Sequence, residues 1–86
     1  MTFLELTKIV QKYNIPEDVN LVSHSGWECD PTDCDSAFYS KECNELVFSQ
    51  YKSYNIDLFI SEQLNKYYKG TDWICVYNRD RYYEQK

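Results

Sequence analysis

The stretch "SAFYSKECNELVFSQY" (residues 36–51) holds two β-prone runs joined by the polar tetrapeptide "KECN". Apolar runs on either side of a short polar turn predict a β-hairpin. In the second run Leu46 and Phe48 point to one side of the strand. Val47 and Tyr51 point to the other side. Two apolar faces suit a sheet with one side covered by helices.

The segment before the hairpin opens with a helix signal. Thr2 is followed three residues later by Glu5, which is the spacing of a capping box. Apolar residues then recur at helical intervals, which predicts a helix from about Phe3 to Tyr13. Asn14 can end that helix in a left-handed conformation, and a proline two residues later bars its continuation.

The segment after the hairpin predicts a second helix and a last strand. Asp57 is a good N-cap for the amphipathic run "LFISEQLNKYY", and Gly70 stands at its end as a C-terminal cap. The run "DWICVYN" then alternates Trp73, Cys75 and Tyr77 against the apolar residues between them. Such alternation is typical of a strand with both faces at least partly covered.

Together with a short strand expected at about Asn20 to Ser23, these elements give one α+β domain over residues 1–86. The predicted order is α-(β)-β-β-α-β. It corresponds to a small antiparallel sheet of roughly three or four strands packed against two helices. The polar tail at about residues 80–86 is expected to fray.

Charge and hydropathy restrict the classes of function. The chain carries 9 lysines and arginines against 14 aspartates and glutamates, a formal charge of -5. This balance disfavours direct nucleic-acid binding, which needs clustered cations. No apolar run approaches the roughly 20 residues that span a bilayer, and the N-terminus lacks the pattern of a signal peptide. We therefore expect a cytoplasmic protein with no membrane partner, whose 4 cysteines are reduced.

The main candidate site is the acidic segment from Ser25 to Ser36. Acids are dense there, and no lysine or arginine occurs between Lys12 and Lys41. Aromatic anchors beside charges of one sign are what a protein interface with a basic partner uses. We therefore predict a non-enzymatic acidic protein-interaction domain, and in its narrower form an inhibitor that blocks a basic nucleic-acid-binding surface. The expected contacts are Trp27, Glu28, Asp30, Asp33, Asp35 and Tyr39.

A small zinc-binding domain is the alternative function. Tetrahedral zinc takes thiolates and imidazole nitrogens, commonly from a tight C-x2-4-C pair. Cys29 and Cys34 stand at the loose limit of that spacing, and Cys43 and His24 are the further candidate ligands. The second tight pair is missing, and Cys75 lies in a predicted strand as a core thiol. The main prediction therefore includes no metal and no cofactor.

Three other functions are disfavoured by the residue types. The aspartates of the acidic segment lack the glycine and glutamate of an EF-hand loop. Cys29 with His24 is the sole candidate pair of nucleophile and base, and the acids around it raise the pKa of a thiol, so no enzyme is expected. The C-terminal tyrosines and cations are diluted by acids, which weakens a nucleic-acid surface. Self-association and a solvated acidic turn stay as alternatives.

The segments "NIPEDV", "SGWECDPTD" and "ELVFSQ" resemble a group of short uncharacterised proteins from Gram-positive bacterial genomes and their mobile elements. The likeness covers the central part of the chain and brings no established activity and no catalytic residues. Small size and acidity also look like phage-encoded inhibitors of host defence, anti-CRISPR proteins included, which is an analogy of type. That analogy implies an inhibitor that acts on a protein partner.

Overall fold

The computed structural model describes residues 1–24, 33–50 and 56–79. The elements are α1 (Phe3–Tyr13), β1 (Asn20–His24), β2 (Ser36–Ser40), β3 (Glu45–Ser49), α2 (Ile56–Tyr67) and β4 (Ile74–Asn78). The predicted α+β class and the order α-(β)-β-β-α-β are confirmed. Within the described ranges, neither helix has the length and apolar character needed to cross a membrane. The expected fraying of residues 80–86 concerns a stretch outside these ranges.

Helix α1 has the bounds and both caps that the sequence predicts. The backbone N–H of Glu5 donates to Thr2 Oγ1 (3.1 Å), and that of Thr2 donates to Glu5 Oε1 (2.9 Å), which completes the capping box. Asn14 ends the helix with a φ of 54° in the left-handed region. These caps satisfy backbone groups that a helix end leaves unpaired, so local sequence is enough to set where this helix begins and ends.

The four strands form one sheet in the order β1-β3-β2-β4. Strands β2 and β3 are the predicted antiparallel hairpin, and β4 pairs antiparallel with β2. The expectation of an antiparallel sheet is wrong at one pair, because β1 runs parallel to β3. The hairpin docks with β3 beside β1, and β3 runs in the same direction as β1. A turn sequence fixes the pairing inside a hairpin, but it does not decide which of the two hairpin strands pairs with a third strand such as β1.

One helix covers each face of the sheet, so helices lie on both sides and not on one. The buried cluster on the α1 face contains Ile9, Ile15, Ala37, Tyr39, Leu46, Val76 and Tyr77. The buried cluster on the α2 face contains Phe38, Val47, Ile60 and Trp73. The neighbours Ala37 and Phe38 fall in different clusters because successive side chains of a strand point to opposite faces. The sheet is therefore the middle of three layers, with a small core on each side.

An irregularity in β4 changes the predicted alternation of its side chains. Ala37 pairs with Tyr77. The next residue of β2, Phe38, pairs with Cys75, which leaves Val76 as the extra residue of a β-bulge. Tyr77 therefore packs on the α1 face together with Val76, and not on the α2 face with Cys75 as strict alternation predicts.

Helix α2 begins earlier in the sequence than its predicted N-cap residue implies. It begins at Ile56, so Asp57 lies in its first turn and does not precede it as an N-cap. Gly70 lies beyond the last helical residue and takes a φ of 86°. A Cβ at Gly70 would lie 2.5 Å from Cys43 Sγ, so one of the two would have to shift. Glycine at this position lets the chain turn towards β4 directly against the β2–β3 turn.

Candidate functional site

The predicted acidic segment leads into β2, and the structure describes it from residue 33 onwards. Trp27, Glu28 and Asp30 lie outside the described residues. Asp33 is exposed, whereas Asp35 is only 7% exposed. The two described acids therefore do not share one exposed surface, and the partner-binding role of the segment stays a prediction.

Asp35 links the start of β2 to the ends of the two neighbouring strands, β3 and β4. Its backbone N–H donates to the carbonyl of Ser49 (2.9 Å) in β3, and its own carbonyl accepts from the N–H of Arg79 (2.9 Å) after β4. The Asp35 carboxylate also pairs with the Arg79 guanidinium, with Oδ1 and Nη1 3.4 Å apart. The hydrogen bond to Asp35 raises the pKa of Arg79. These contacts give Asp35 a structural role at this end of the sheet.

Tyr39, predicted as an aromatic anchor, lies in the core. It is 7% exposed and belongs to the α1-face cluster with Ile9 and Leu46. Its position follows from strand alternation, because Tyr39 shares a face of β2 with Ala37 and α1 covers that face. A side chain with so little exposed surface offers a partner almost no contact area.

Of the candidate zinc ligands, the structure describes Cys34 and Cys43, and these two lie at opposite ends of β2. Cys34 precedes β2 and Cys43 follows it, so the strand separates them by roughly 13 Å or more. Two thiolates on one zinc ion have sulfur atoms about 4 Å apart, given Zn–S bonds of about 2.3 Å. Cys34 and Cys43 are therefore too far apart to share one zinc ion, whereas Cys29 and the side chain of His24 lie outside the described residues, so the zinc alternative itself stays a prediction. In the part of the chain that the structure describes, no group of 3 or more His, Cys, Asp or Glu could hold a metal ion.

The described cysteines, Cys34, Cys43 and Cys75, are in the reduced thiol form. Cys34 Sγ donates to the carbonyl of Ser36 (3.3 Å), and burial raises the pKa of this thiol, which lowers its thiolate fraction at neutral pH. Cys75 packs against the α2-face cluster, which confirms its prediction as a core thiol. Cys29 and the side chain of His24 lie outside the described part, so the pairing of a nucleophile with a base there stays untested.

The turn between β2 and β3 is held on both sides by aspartates from other loops. On one side, the side-chain amide of Asn44 donates to Asp18 Oδ1 (3.3 Å). On the other side, Asp72 Oδ2 accepts from the backbone N–H of Glu42 (3.0 Å), and Asp72 Oδ1 accepts from the Ser40 hydroxyl. The bond from Ser40 lowers the pKa of Asp72. Loops that are distant in sequence thus meet at one end of the sheet.

This end of the sheet carries four exposed carboxylates that we call the loop-end patch: Glu17, Asp18, Glu42 and Asp72. Thr71 holds Glu42 in place, because its N–H and its hydroxyl both donate to Glu42 Oε2 (3.1 Å each). Lys41 is an exposed cation in the same turn. Lys12 and Lys66 lie in the last turns of the two helices that lead to this end, so the excess of carboxylates is confined to the loops themselves.

A second cation at this end, Lys69, is neutralised by Glu45. Glu45 is only 4% exposed, forms an ion pair with Lys69 Nζ and accepts from the Tyr68 hydroxyl (3.0 Å). The hydrogen bond from Lys69 holds the pKa of Glu45 below its ordinary value, against the opposing effect of desolvation. The pair ties the residues after α2 to the start of β3 and leaves the charge of the loop-end patch unchanged.

A groove of about 360 Å³ lies between α2 and the half of the sheet formed by β1 and β3. Its lining consists of Val22, Ser23, Val47, Ile60, Gln63, Leu64, Tyr67 and Tyr68. No charged residue belongs to this set. Val47 and Ile60 are buried and form the floor, whereas Tyr67 and Tyr68 are exposed at the rim. The volume is large enough for one or more apolar side chains of a partner.

The sequence gives little warning of the loop-end patch. Its acids come from positions 17, 18, 42 and 72, and no short window contains more than two of them. The available signal is that each stands next to a turn or a strand start, where loops of a small sheet converge. The acids of the predicted segment are neighbours in sequence, but the two described ones, Asp33 and Asp35, do not share one exposed surface.

Comparisons of the chain with protein families, with curated proteins and with solved structures found no match. The resemblance to short proteins of Gram-positive bacteria and their mobile elements therefore stays a prediction.

Proposed function

We propose that this chain is a non-enzymatic protein-interaction domain that captures a partner with a basic surface. The main support is the loop-end patch, in which four exposed carboxylates lie around one turn. A surface of one charge sign speeds the encounter with an oppositely charged partner. At short range its carboxylates accept strong hydrogen bonds from lysine and arginine.

The hydrogen bonds within the patch favour binding because they order the carboxylates in advance. Three of the four, those of Asp18, Glu42 and Asp72, already accept from protein donors. A carboxylate has about four acceptor sites, so Asp18 and Glu42 keep free sites for an incoming cation, whereas Asp72 is already bound by Ser40 and by backbone N–H groups of the turn. Immobilising a mobile side chain costs about 0.5–1.5 kcal/mol on binding, and ordered side chains avoid part of that cost.

The partner that we propose is a cytoplasmic protein whose basic surface binds nucleic acid. Such a surface presents clustered lysines and arginines for a series of phosphate charges. A compact acidic domain seated on it would exclude the nucleic acid, which makes the chain an inhibitor. The formal charge of -5 supports this direction of recognition and disfavours direct contact of the chain with nucleic acid.

The predicted acidic segment is a second candidate surface for the same function. Its acids are Glu28, Asp30 and Asp33, with Trp27 as the aromatic anchor. We omit Asp35 and Tyr39 from the contact set because both are buried. Asp33 precedes β2, whereas the loop-end patch surrounds the turn after β2, so substitutions can separate the two surfaces.

Two charge-neutralised variants test the proposal. The first carries Glu17→Gln, Asp18→Asn, Glu42→Gln and Asp72→Asn, which remove four negative charges and keep an acceptor oxygen at each position. The matched variant carries Glu28→Gln, Asp30→Asn and Asp33→Asn. The partner is isolated by affinity capture from the native host and identified by mass spectrometry. Its affinity for the three forms is then measured.

We expect the first variant to bind the partner at least roughly tenfold more weakly, a loss of about 1.4 kcal/mol, with an unchanged circular dichroism spectrum. The matched variant is expected to bind like the wild type. Loss of binding in the matched variant alone would assign the contact surface to the acidic segment from Ser25 to Ser36. Equal affinity of all three forms would contradict the proposed function.

A further inference from the structure

Strand β1 lies at an edge of the sheet. Within the described residues its sheet neighbour is β3, on one side. The backbone N–H of Asn20 donates to the carbonyl of Asn44 (3.0 Å), so the polar backbone groups of Asn20 point towards β3. Successive residues of a strand direct these groups to alternate sides. The N–H and C=O groups of Leu21 and Ser23 therefore point away from β3, along the edge.

The edge formed by β1 lacks the features that keep sheet edges from pairing. Such features are lysines, prolines, bulges and inward-pointing charges. The sequence of β1, "NLVSH", has no lysine, proline or acid, and its register with β3 is unbroken. The opposite edge strand, β4, carries a bulge at Val76. Of the two edges in the described sheet, β1 is thus the one shaped to accept another strand.

Apolar surface borders this edge on both faces of the sheet. On the α2 face, Val22 lines the uncharged groove beside Leu64. On the other face, Leu21 is 60% exposed, and its register partner Leu46 is fully buried. A strand added along β1 would place alternate side chains over these two surfaces. Its apolar residues would enter the groove on one side and cover Leu21 on the other.

The charge beside β1 selects the kind of strand. Glu17 and Asp18 lie directly before β1 and belong to the loop-end patch, whereas β1 itself and the groove lining are uncharged. A strand that pairs along β1 therefore brings one of its ends close to carboxylates. Lysine or arginine at that end would gain ion pairs with Glu17 and Asp18, and acidic residues there would be repelled.

We propose that the partner docks by adding an extended strand with apolar and basic residues to the edge of β1 that faces away from β3. The proposal rests on the proposed function and specifies how the basic partner is held. Backbone hydrogen bonds to Leu21 and Ser23 supply affinity, and the groove together with the loop-end patch selects the sequence.

Amide hydrogen exchange with a synthetic peptide tests the edge directly. The probe is a peptide of about ten residues with consecutive valines in its middle and two lysines at each end, long enough to cover the strand and basic at whichever end meets Glu17 and Asp18. In the free protein we expect the amides of Leu21 and Ser23 to exchange fast and those of Asn20 and Val22 slowly. The peptide should slow exchange at Leu21 and Ser23 roughly tenfold or more. The same peptide N-methylated at alternate backbone nitrogens should have no effect.

Three results would overturn strand addition. Slow exchange at Leu21 and Ser23 in the free protein would mean that the edge is already paired, and light scattering would show whether a second copy covers it. Equal effects of the plain and N-methylated peptides would mean that side chains alone bind. Absence of any effect at millimolar peptide would show that the edge does not accept a basic strand.

A proline variant tests the same contact with the captured partner. Ser23→Pro removes an N–H that points away from β3, and Ser23→Ala is the matched control that keeps it. We expect Ser23→Pro to lower partner affinity at least roughly tenfold and Ser23→Ala to bind like the wild type. If Ser23→Pro binds normally while the loop-end variant does not, strand addition is wrong and the proposed function stands. If the loop-end variant and the matched variant of the acidic segment both bind normally, the proposed function itself fails. Should Ser23→Pro not fold, the N-methylated peptide decides.

Discussion

The backbone N–H of Glu42 donates to Asp72 Oδ2 at 3.0 Å, although the two residues are 30 positions apart in the chain. The Ser40 hydroxyl donates to the other oxygen of the same carboxylate. One side chain therefore fixes the loop before β4 to the turn between β2 and β3. The loop-end patch depends on this contact, because the two loops carry two of its four acids.

Replacing Asp72 by alanine should destabilise the fold. Two donors would lose their acceptor, and we expect the free energy of unfolding to fall by about 1–3 kcal/mol. Asp72→Asn keeps one acceptor oxygen and should cost less. Urea unfolding followed by tryptophan fluorescence measures both. Equal stability of Asp72→Ala and the wild type would mean that the hydrogen bonds to Asp72 contribute nothing to the free energy of unfolding.

Glu45 should make stability depend on pH in the acidic range. Hydrogen bonding to Lys69 lowers the pKa of Glu45 in the folded state below its ordinary value of 4.5. The resulting stabilisation is fully present above the pKa of the unfolded chain and is lost as the pH falls through the folded pKa. Glu45→Gln has no carboxylate to titrate. The stability difference between wild type and Glu45→Gln should therefore be large at neutral pH and shrink below about pH 4.5.

Urea titrations of the wild type and Glu45→Gln at about pH 7 and about pH 3 check this sign. Tyr68→Phe serves as the control, since it removes one hydrogen bond to Glu45 and leaves the ion pair with Lys69 in place. Tyr68→Phe should make stability less dependent on pH without removing the dependence. A stability difference between wild type and Glu45→Gln that does not change with pH would contradict a lowered pKa of Glu45 in the folded state.

Gly70 should tolerate alanine poorly for two separable reasons. Its φ of 86° is costly for a residue with a Cβ, by about 1–2 kcal/mol. The new Cβ would also meet Cys43 Sγ at 2.5 Å. In a Cys43→Ala background only the backbone cost remains, so Gly70→Ala should be less damaging there. A double-mutant cycle measured by thermal unfolding tests the coupling, and strictly additive effects would rule the contact out.

Asp33 and Asp35 should respond differently to the same substitution. Asp35 is buried and its carboxylate pairs with Arg79, so Asp35→Ala removes that contact, leaves a small cavity beside Ser36 and should lower the free energy of unfolding measurably. Asp33 is exposed, and Asp33→Ala should change stability by less than about 0.5 kcal/mol. The two variants, compared by urea unfolding, separate a structural acid from a surface acid. Similar losses at both positions would contradict this division.

The parts of the fold that follow local rules could be predicted from the sequence. The capping box of Thr2 with Glu5 and the left-handed Asn14 fix both ends of α1, and the hairpin follows from its apolar runs and polar turn. Two features could not be predicted. The parallel pairing of β1 depends on which hairpin strand meets it, and the bulge at Val76 depends on packing that places Tyr77 against α1.

The candidate site was harder to predict than the fold because it depends on non-local contacts. Sequence proximity suggested that Asp35 and Tyr39 belong to one exposed surface, but strand alternation and the ion pair with Arg79 bury both. The loop-end patch joins acids such as Asp18 and Asp72 that the chain separates by more than half its length. Their approach is visible only once the order of the strands is known.

The salt dependence of association tests the acidic docking surface most directly. The association rate constant of the captured partner is measured by stopped flow from about 0.05 M to about 0.5 M salt, for the wild type and for the variant neutralised at the loop-end patch. We expect the wild-type rate constant to fall roughly tenfold or more across this range and the variant to show a much shallower slope. A wild-type rate constant that is independent of salt, or equal slopes for the two proteins, would contradict docking through the loop-end carboxylates.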